Sequence, residues 1–342
     1  MRRFFTLAAP LVALCGLAAG LRAQLPPSPD APPVSHAPAQ AAEDEPVSTL
    51  KVEVNLVDLF FTVKDKEGGL VPHLTREDCT VSEDKAPQKL KSFVAETNLP
   101  LTLGILLDTS GSQQRVLGLE QEVGAQFLNR ILRSKDEAFL ISFDVNVDLL
   151  QDLTNDPHRL IRAMNKAEIN AGVSFGASPV PTPGGPRGTV LYDAVYLASN
   201  EKMSQETGRK AMILLTDGQD EGSRRKIADA IAAAQKANTI VYCILIADRA
   251  GYGFMGYSGF SAMKKVTEET GGRLIDVGNN GKKLEAAFQQ IEDELRTQYL
   301  ATYTPSNEKM DGTFRHIGVE CRPEGLKVQV RKGYYAASPQ SQ

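Results

Sequence analysis

The chain has 342 residues, of which 42% are hydrophobic, 23% charged and 6% aromatic, with no Trp, an ordinary globular composition. At ~150 residues per domain the length accommodates about two domains, each large enough to bury a core, which excludes a small disulfide scaffold. Lys and Arg total 38 against 42 Asp and Glu, for a formal net charge of −4; with no global positive field to attract phosphates, the balance argues against a nucleic-acid partner.

Arg2 and Arg3, an apolar run from Phe4 to Leu21 and the triplet Leu21-Arg22-Ala23 read as a secretory signal peptide over 1–23, cleaved after Ala23. An uncleaved membrane anchor is the alternative, but the run is short for a span and holds Pro10, Gly16 and Gly20. Cys15 follows Leu14, where lipid-modified signals want a small residue, so lipidation is not expected. Loss of Arg2, Arg3 and Arg22 brings the net charge to −7. The mature chain is expected outside the cytoplasm, periplasmic or secreted, with no stable membrane span. Residues 24–49 carry seven prolines and almost no bulky apolar side chains; such a segment cannot repay its ordering entropy and reads as an extended tether.

From Leu50 the pattern is β-like. Val52, Val54 and Leu56 alternate with polar residues, then Val57, Leu59, Phe61 and Val63 alternate on the opposite phase, which predicts a bulge or a strand whose second half packs on another face. Lys66-Glu67-Gly68-Gly69 reads as a turn, with short strands around Cys79-Thr80-Val81 and Lys89 to Val94. At Pro100 the text changes. Leu101 to Leu107 is almost continuously apolar and stops at Asp108-Thr109-Ser110-Gly111-Ser112, the mark of a strand buried on both faces with a polar loop at its carboxyl end. Val116, Leu119, Val123, Phe127 and Ile131 fall at helical spacing; Ala138 to Phe143 is a second buried strand, and Leu160, Ile161 and Met164 mark a second helix. A Gly- and Pro-rich loop from Asn170 to Gly188 precedes a helix from about Leu191. Ala211 to Leu215 is a strand stopped by Thr216-Asp217-Gly218, followed by a helix with Ile227, Ile231 and Ala234, a strand Ile240 to Ile246, a helix near Ser261 to Thr270 and a short strand at Arg273 to Val277. Leu284, Phe288, Ile291, Leu295 and Tyr299 line one face of a last helix, Lys282 to Tyr299. Such alternation predicts a doubly wound, mainly parallel α/β sheet over 99–299. Ile317, Val319 and Cys321, a turn at Pro323-Glu324-Gly325, and Leu326, Val328 and Val330 read as a hairpin. The segments 50–98 and 300–336 are expected to pair into one small β-sandwich into which the α/β domain is inserted, with a tail at 337–342.

In open parallel sheets the functional crevice lies beyond the carboxyl ends of the strands. Asp108-x-Ser110-x-Ser112 and Asp217 offer two carboxylates and two hydroxyls there, with no His or Cys nearby; an all-oxygen donor set suits a hard cation, Mg²⁺, Mn²⁺ or Ca²⁺, rather than zinc. Helix capping explains Asp108 and Ser112 in isolation, but not Asp217 on a second strand. Asp220 and Glu221 read as solvated acids of a first helical turn rather than ligands.

The string Asp108-Thr109-Ser110-Gly111-Ser112 after an apolar strand, Gly188-Thr189-Val190-Leu191-Tyr192-Asp193-Ala194 at a helix start, and Leu215-Thr216-Asp217-Gly218 after a later strand resemble, in order, the metal-site motifs of the von Willebrand factor A (VWA) domain, and the flanking β segments resemble those of its bacterial exported branch. The resemblance implies that Ser110, Ser112 and Thr189 supply hydroxyl ligands to Mg²⁺ most naturally, while Asp108 and Asp217 act mostly through bound waters. It also implies that sliding of the last helix is coupled to the site. A cation held largely by neutral hydroxyls keeps much of its charge and an incomplete shell, so it can accept an Asp or Glu carboxylate from a protein partner. The function expected is an exported, metal-dependent adhesive or scaffolding module. A structural component of an envelope assembly without metal-dependent binding is the alternative.

No aspartyl-phosphate pair, Gly-x-Ser-x-Gly elbow or phosphate-binding Gly loop is present in the sequence, and His36, His73, His158 and His316 are scattered, so no enzymatic activity is expected. Cys243 falls in a buried strand and reads as a core thiol. Cys79 and Cys321 occupy apolar alternation positions in the two paired β segments, as a disulfide or as two separate thiols. The loop from Ala247 to Phe260 sets four aromatics and a Met among four glycines; Tyr252, Phe254, Met255 and Tyr257 are the candidate partner-binding residues, with Phe254 and Phe260 alternatively a satellite core under the loop.

Overall fold

The computed structural model describes residues 56–96, 98–170, 188–246 and 259–338. Its first strand, β1 (Val57–Lys64), carries the second of the two alternating phases: Leu56 is 48% exposed whereas Val57, Leu59, Phe61 and Val63 are buried together. Phe60 points the other way, into the core under the α/β domain, so one strand is wetted on neither face. The expected first phase, Val52 and Val54, lies outside the described residues. β2 (Cys79–Glu83), β3 (Ala86–Gln88) and β4 (Leu90–Glu96) follow.

The α/β part then runs β5 (Leu101–Asp108), α1 (Leu117–Ile131), β6 (Glu137–Phe143), β7 (Val147–Thr154), α2 (Pro157–Met164), α3 (Leu191–Leu197), β8 (Arg209–Thr216), α4 (Ile227–Lys236), β9 (Ile240–Leu245), α5 (Gly259–Thr270), β10 (Leu274–Asp276) and α6 (Gly281–Arg296). The sheet order is β10-β9-β8-β5-β6-β7, parallel except for β7 at one edge. Helices cover both faces, as the buried runs of β5, β8 and β9 require. One core joins the sheet to α1, α2 and α6, with Phe127 stacked on Phe288 at 4.6 Å; the other joins it to α3, α4 and α5. The strand β7 is absent from the sequence reading because an edge strand is covered on one side only: its residues are mostly exposed or half-buried and its apolar content is irregular.

After α6 the chain passes through one residue, Thr297, into β11 (Gln298–Tyr303), and then β12 (Phe314–Cys321), β13 (Lys327–Val330) and β14 (Gly333–Tyr335). These complete an antiparallel sandwich of two four-stranded sheets, β13-β1-β11-β4 and β14-β12-β2-β3, so each sheet mixes strands from both sides of the α/β part. Two expectations are corrected here. The last helix stops at Arg296, and Tyr299 belongs to β11, where its ring stacks on Phe61 at 5.5 Å and its hydroxyl donates to Val71 O and accepts from Leu74 N. Its helical spacing from Leu295 is an accident of sequence. Nor do β12 and β13 form a hairpin: β12 pairs with β2 and β13 with β1, the chain crossing between the sheets at 322–326. Both strands still turn their apolar side chains to one core, which is the part of the pattern that alternation encodes.

Cys79 and Cys321 face each other across the β2–β12 pair and are joined by a disulfide. Cys243 is buried and unbonded, and burial pushes its thiol far above the usual range. The junction between α6 and the sandwich is polar: Glu294 accepts from Lys64 Nζ at 2.6 Å, from Arg273 at 2.7 Å and from Gln329 at 3.0 Å. Any slide of α6 therefore has to carry β11 and break this cluster.

Among the described residues no helix is long and apolar enough to cross a membrane.

Candidate metal centre at the carboxyl edge of the sheet

β5 and β8 are neighbours at the middle of the sheet, so the residues that end them, Asp108 and Thr216-Asp217, emerge side by side. Asp108 is wholly buried. Its Oδ1 accepts from Ser110 N at 3.0 Å and its Oδ2 from the Thr216 hydroxyl at 2.6 Å, while that hydroxyl accepts from Gly218 N at 3.0 Å. Asp217, 2% exposed, turns its Oδ1 to Gln219 N at 2.9 Å. Burial, and after it the charge of Asp217, pushes the Asp108 carboxyl up to about 7, against the hydrogen bonds from Ser110 and Thr216 that favour its ionised form. Two buried carboxylates that repel each other call for a positive charge between them.

The hydroxyls complete the rim. Ser110 and Ser112 share a hydrogen bond at 3.0 Å, with Ser110 buried and Ser112 exposed, so the loop opens to solvent on the Ser112 side. Thr189 is fixed from both flanks: its carbonyl accepts from Glu221 N at 3.1 Å in the loop after β8, and the next residue, Val190, donates its N–H to Asp144 O at 2.7 Å just beyond β6. Since β6 and β8 lie on either side of β5, these bonds hold Thr189 at the end of β5. Asp220 is half-buried rather than solvated; it accepts from Tyr192 N at 3.2 Å and from the Ser223 hydroxyl, tying the loop to the start of α3. That corrects its reading as a free surface acid, while Glu221 is exposed.

Among the described residues no three His, Cys, Asp or Glu side chains gather as a metal site. The donors here are two carboxylates and three hydroxyls, a set in which oxygen is the sole ligand atom and neutral groups outnumber charged ones. It fits a hard divalent ion. Residues 247–258, with Tyr252, Phe254, Met255 and Tyr257, lie outside the described residues, but both ends of their loop border the site. Ile246 N donates to Thr216 O at 2.9 Å, and Gly259 packs on Asp217 and Gly218 so closely that a Cβ there would stand 2.5 Å from Asp217 O.

Three residues escaped the sequence reading. Thr216 clamps Asp108, Gln113 bridges to Ile246 O through its Nε2 at 3.4 Å, and Glu120 is a fully buried carboxyl on α1. Only Glu120 left a trace, as a charged residue on the helix face that Val123 and Phe127 make apolar.

The sheet order with its antiparallel edge, and the position of the motif loops at its carboxyl edge, are those of a VWA-like fold. No known sequence family and no curated protein matches the chain. Solved structures do resemble it: BatB of Bacteroides thetaiotaomicron (19% identity, 57% of this chain and 98% of that one, TM-score 0.44) and a von Willebrand factor type A protein of Catenulispora acidiphila (11%, 85% and 76%, TM-score 0.47). Proximal thread matrix protein 1 of the mussel byssus, described with a zinc-occupied MIDAS motif, is similar at 14% identity over 63% of this chain and half of that one, with a TM-score of 0.47.

Proposed function

We propose that the protein is an exported, metal-dependent protein-binding module, adhesive or scaffolding, that captures an Asp or Glu carboxylate of its partner on a divalent cation. The observation that carries this reading is the pairing of two buried, mutually repelling carboxylates with the hydroxyls of Ser110, Ser112 and Thr189 at the open edge of the sheet. Asp108, Ser110, Ser112, Thr189 and Asp217 would hold Mg²⁺, with Mn²⁺ or Ca²⁺ as substitutes. The cation would supply a positive point with room for one more oxygen ligand. The chain's own part is to keep Asp108 dry and oriented through Thr216 and to leave the Ser112 side open to a partner. Tyr252, Phe254, Met255 and Tyr257, in a loop tied at both ends to this rim, are assigned the partner contacts around the carboxylate. The test is calorimetric titration with Mg²⁺ and Mn²⁺, followed by capture of envelope or medium proteins with and without EDTA. Binding of the metal and EDTA-sensitive capture are expected; a wild-type chain that takes up neither ion refutes the reading.

A further inference from the structure

Behind the candidate ligands lie three buried acceptor oxygens with no donor among the described residues. Glu120, in the first turn of α1, is 0% exposed, and neither its Oε1 nor its Oε2 has a hydrogen-bond partner there; Gln113, 1% exposed, leaves its Oε1 likewise unpartnered. Native interiors rarely tolerate such groups, and an unpaired buried carboxyl is among the costliest. Packing offers no reason for it: Glu120 shares the inward face of α1 with Val123, Phe127 and Ile131, all apolar and buried, and Leu or Met would suit the position.

The placement of the two residues supplies a reason. The loop after Asp108 enters α1 through Gln113, whose carbonyl accepts from Val116 N, and the carbonyl of Val116 accepts in turn from Glu120 N. The side chain of Gln113 reaches Ile246 O at the end of β9. In a sheet ordered β9-β8-β5 it therefore crosses the end of β8, where Asp217 stands. Burial and the charges of Asp108 and Asp217 together push the Glu120 carboxyl well above the carboxylate range. With Glu120 ionised all three unpartnered atoms are acceptors, so none can satisfy another. What fits them is a cation carrying bound water, which brings both positive charge and outward-pointing hydrogens.

We propose that Glu120 and Gln113 form an outer layer of the cation site, accepting hydrogen bonds from water on the ion that Asp108, Ser110, Ser112, Thr189 and Asp217 hold. The inference rests on the metal-binding reading above. It makes Glu120 a positioning residue: its charge stands behind the ligands, stabilising the bound ion and moderating the positive charge the ion shows to a partner.

The experiment uses the full chain, Mn²⁺ alone as probe, and the variants Glu120→Gln, which keeps shape, and Glu120→Met, which removes both acceptors. Each is measured by titration calorimetry, by the Mn²⁺ paramagnetic resonance spectrum and by thermal unfolding in EDTA. The expected result is an affinity for Mn²⁺ weakened about tenfold or more, with an altered spectrum and a melting temperature in EDTA at or above that of the wild type. A purely structural residue would show the reverse, a lower melting temperature and unchanged affinity, and would overturn the inference. So would failure of both variants to fold in EDTA. A wild-type chain that binds no Mn²⁺ refutes the metal site as a whole; a wild type that binds, with Glu120→Gln binding equally well, refutes only the outer layer.

Discussion

Asp108→Asn separates the role of Asp108 in the empty site from its role with a cation. In the folded chain the carboxyl is raised from 3.8 to about 7. Between pH 4 and pH 7 the folded state then holds a proton that the unfolded state has released, so stability falls as pH rises through that window and the loss is complete above it. The interval is worth about 4 kcal/mol at 1.36 kcal/mol per pH unit. Against it stands the cost of the substitution itself. Asn keeps an oxygen for Ser110 N, but its amide meets the Thr216 hydroxyl, which donates to Asp108 and already accepts from Gly218 N; one impaired hydrogen bond costs about 1 kcal/mol. Urea unfolding in EDTA should therefore find Asp108→Asn about 1 kcal/mol less stable than the wild type near pH 4 and about 3 kcal/mol more stable at pH 8. Glu120 is raised in the same direction and gives both proteins a slope, so the difference between them is the quantity to read. Adding Mg²⁺ at a hundred times its dissociation constant should return about 2.7 kcal/mol to the wild type at pH 8 and little to the variant. Parallel stability profiles for the two proteins between pH 4 and pH 8 would refute the argument.

Gly259→Ala should disturb the site from the far end of the 247–258 segment, because the added methyl would meet backbone on both sides, Asp217 O at 2.5 Å and the Gly218 carbonyl oxygen at 3.0 Å; a loss of about 1–3 kcal/mol is expected in urea, with weaker Mn²⁺ binding by calorimetry, and normal binding would show that the two loops move independently. The Cys79–Cys321 bond closes a sequence separation of 242 residues and ties the two flanking β segments together. Replacing both cysteines by Ala should cost about 2–5 kcal/mol in urea unfolding while leaving cation affinity intact, and an unchanged midpoint would mean that the β2–β12 pairing suffices.

Much of this architecture is legible in the sequence for a simple physical reason. A strand covered by helices on both faces has no wet side, so Leu101 to Leu107, Ala211 to Leu215 and Ile240 to Ile246 read as almost continuous apolar runs, and where each run stops the polar residues of the sheet's carboxyl edge begin. The inward helix positions follow from periodicity in the same way. Alternation and periodicity record only which face of a segment is buried, and this is where the sequence alone runs out. Ile317, Val319, Val328 and Val330 reveal their apolar sides, yet the choice of β2 for one strand and β1 for the other depends on residues more than two hundred positions away. Tyr299 continues the spacing of α6 until pairing with β1 and β4 draws it into the sandwich. Asp108 and Asp217 could be named as candidates from their motifs. That Thr216 holds one of them, and that Glu120 lies buried and unpartnered behind both, was decided only when tertiary packing closed α1 over the sheet, because a carboxylate's hydrogen bonds and dielectric surroundings are properties of its neighbours in space.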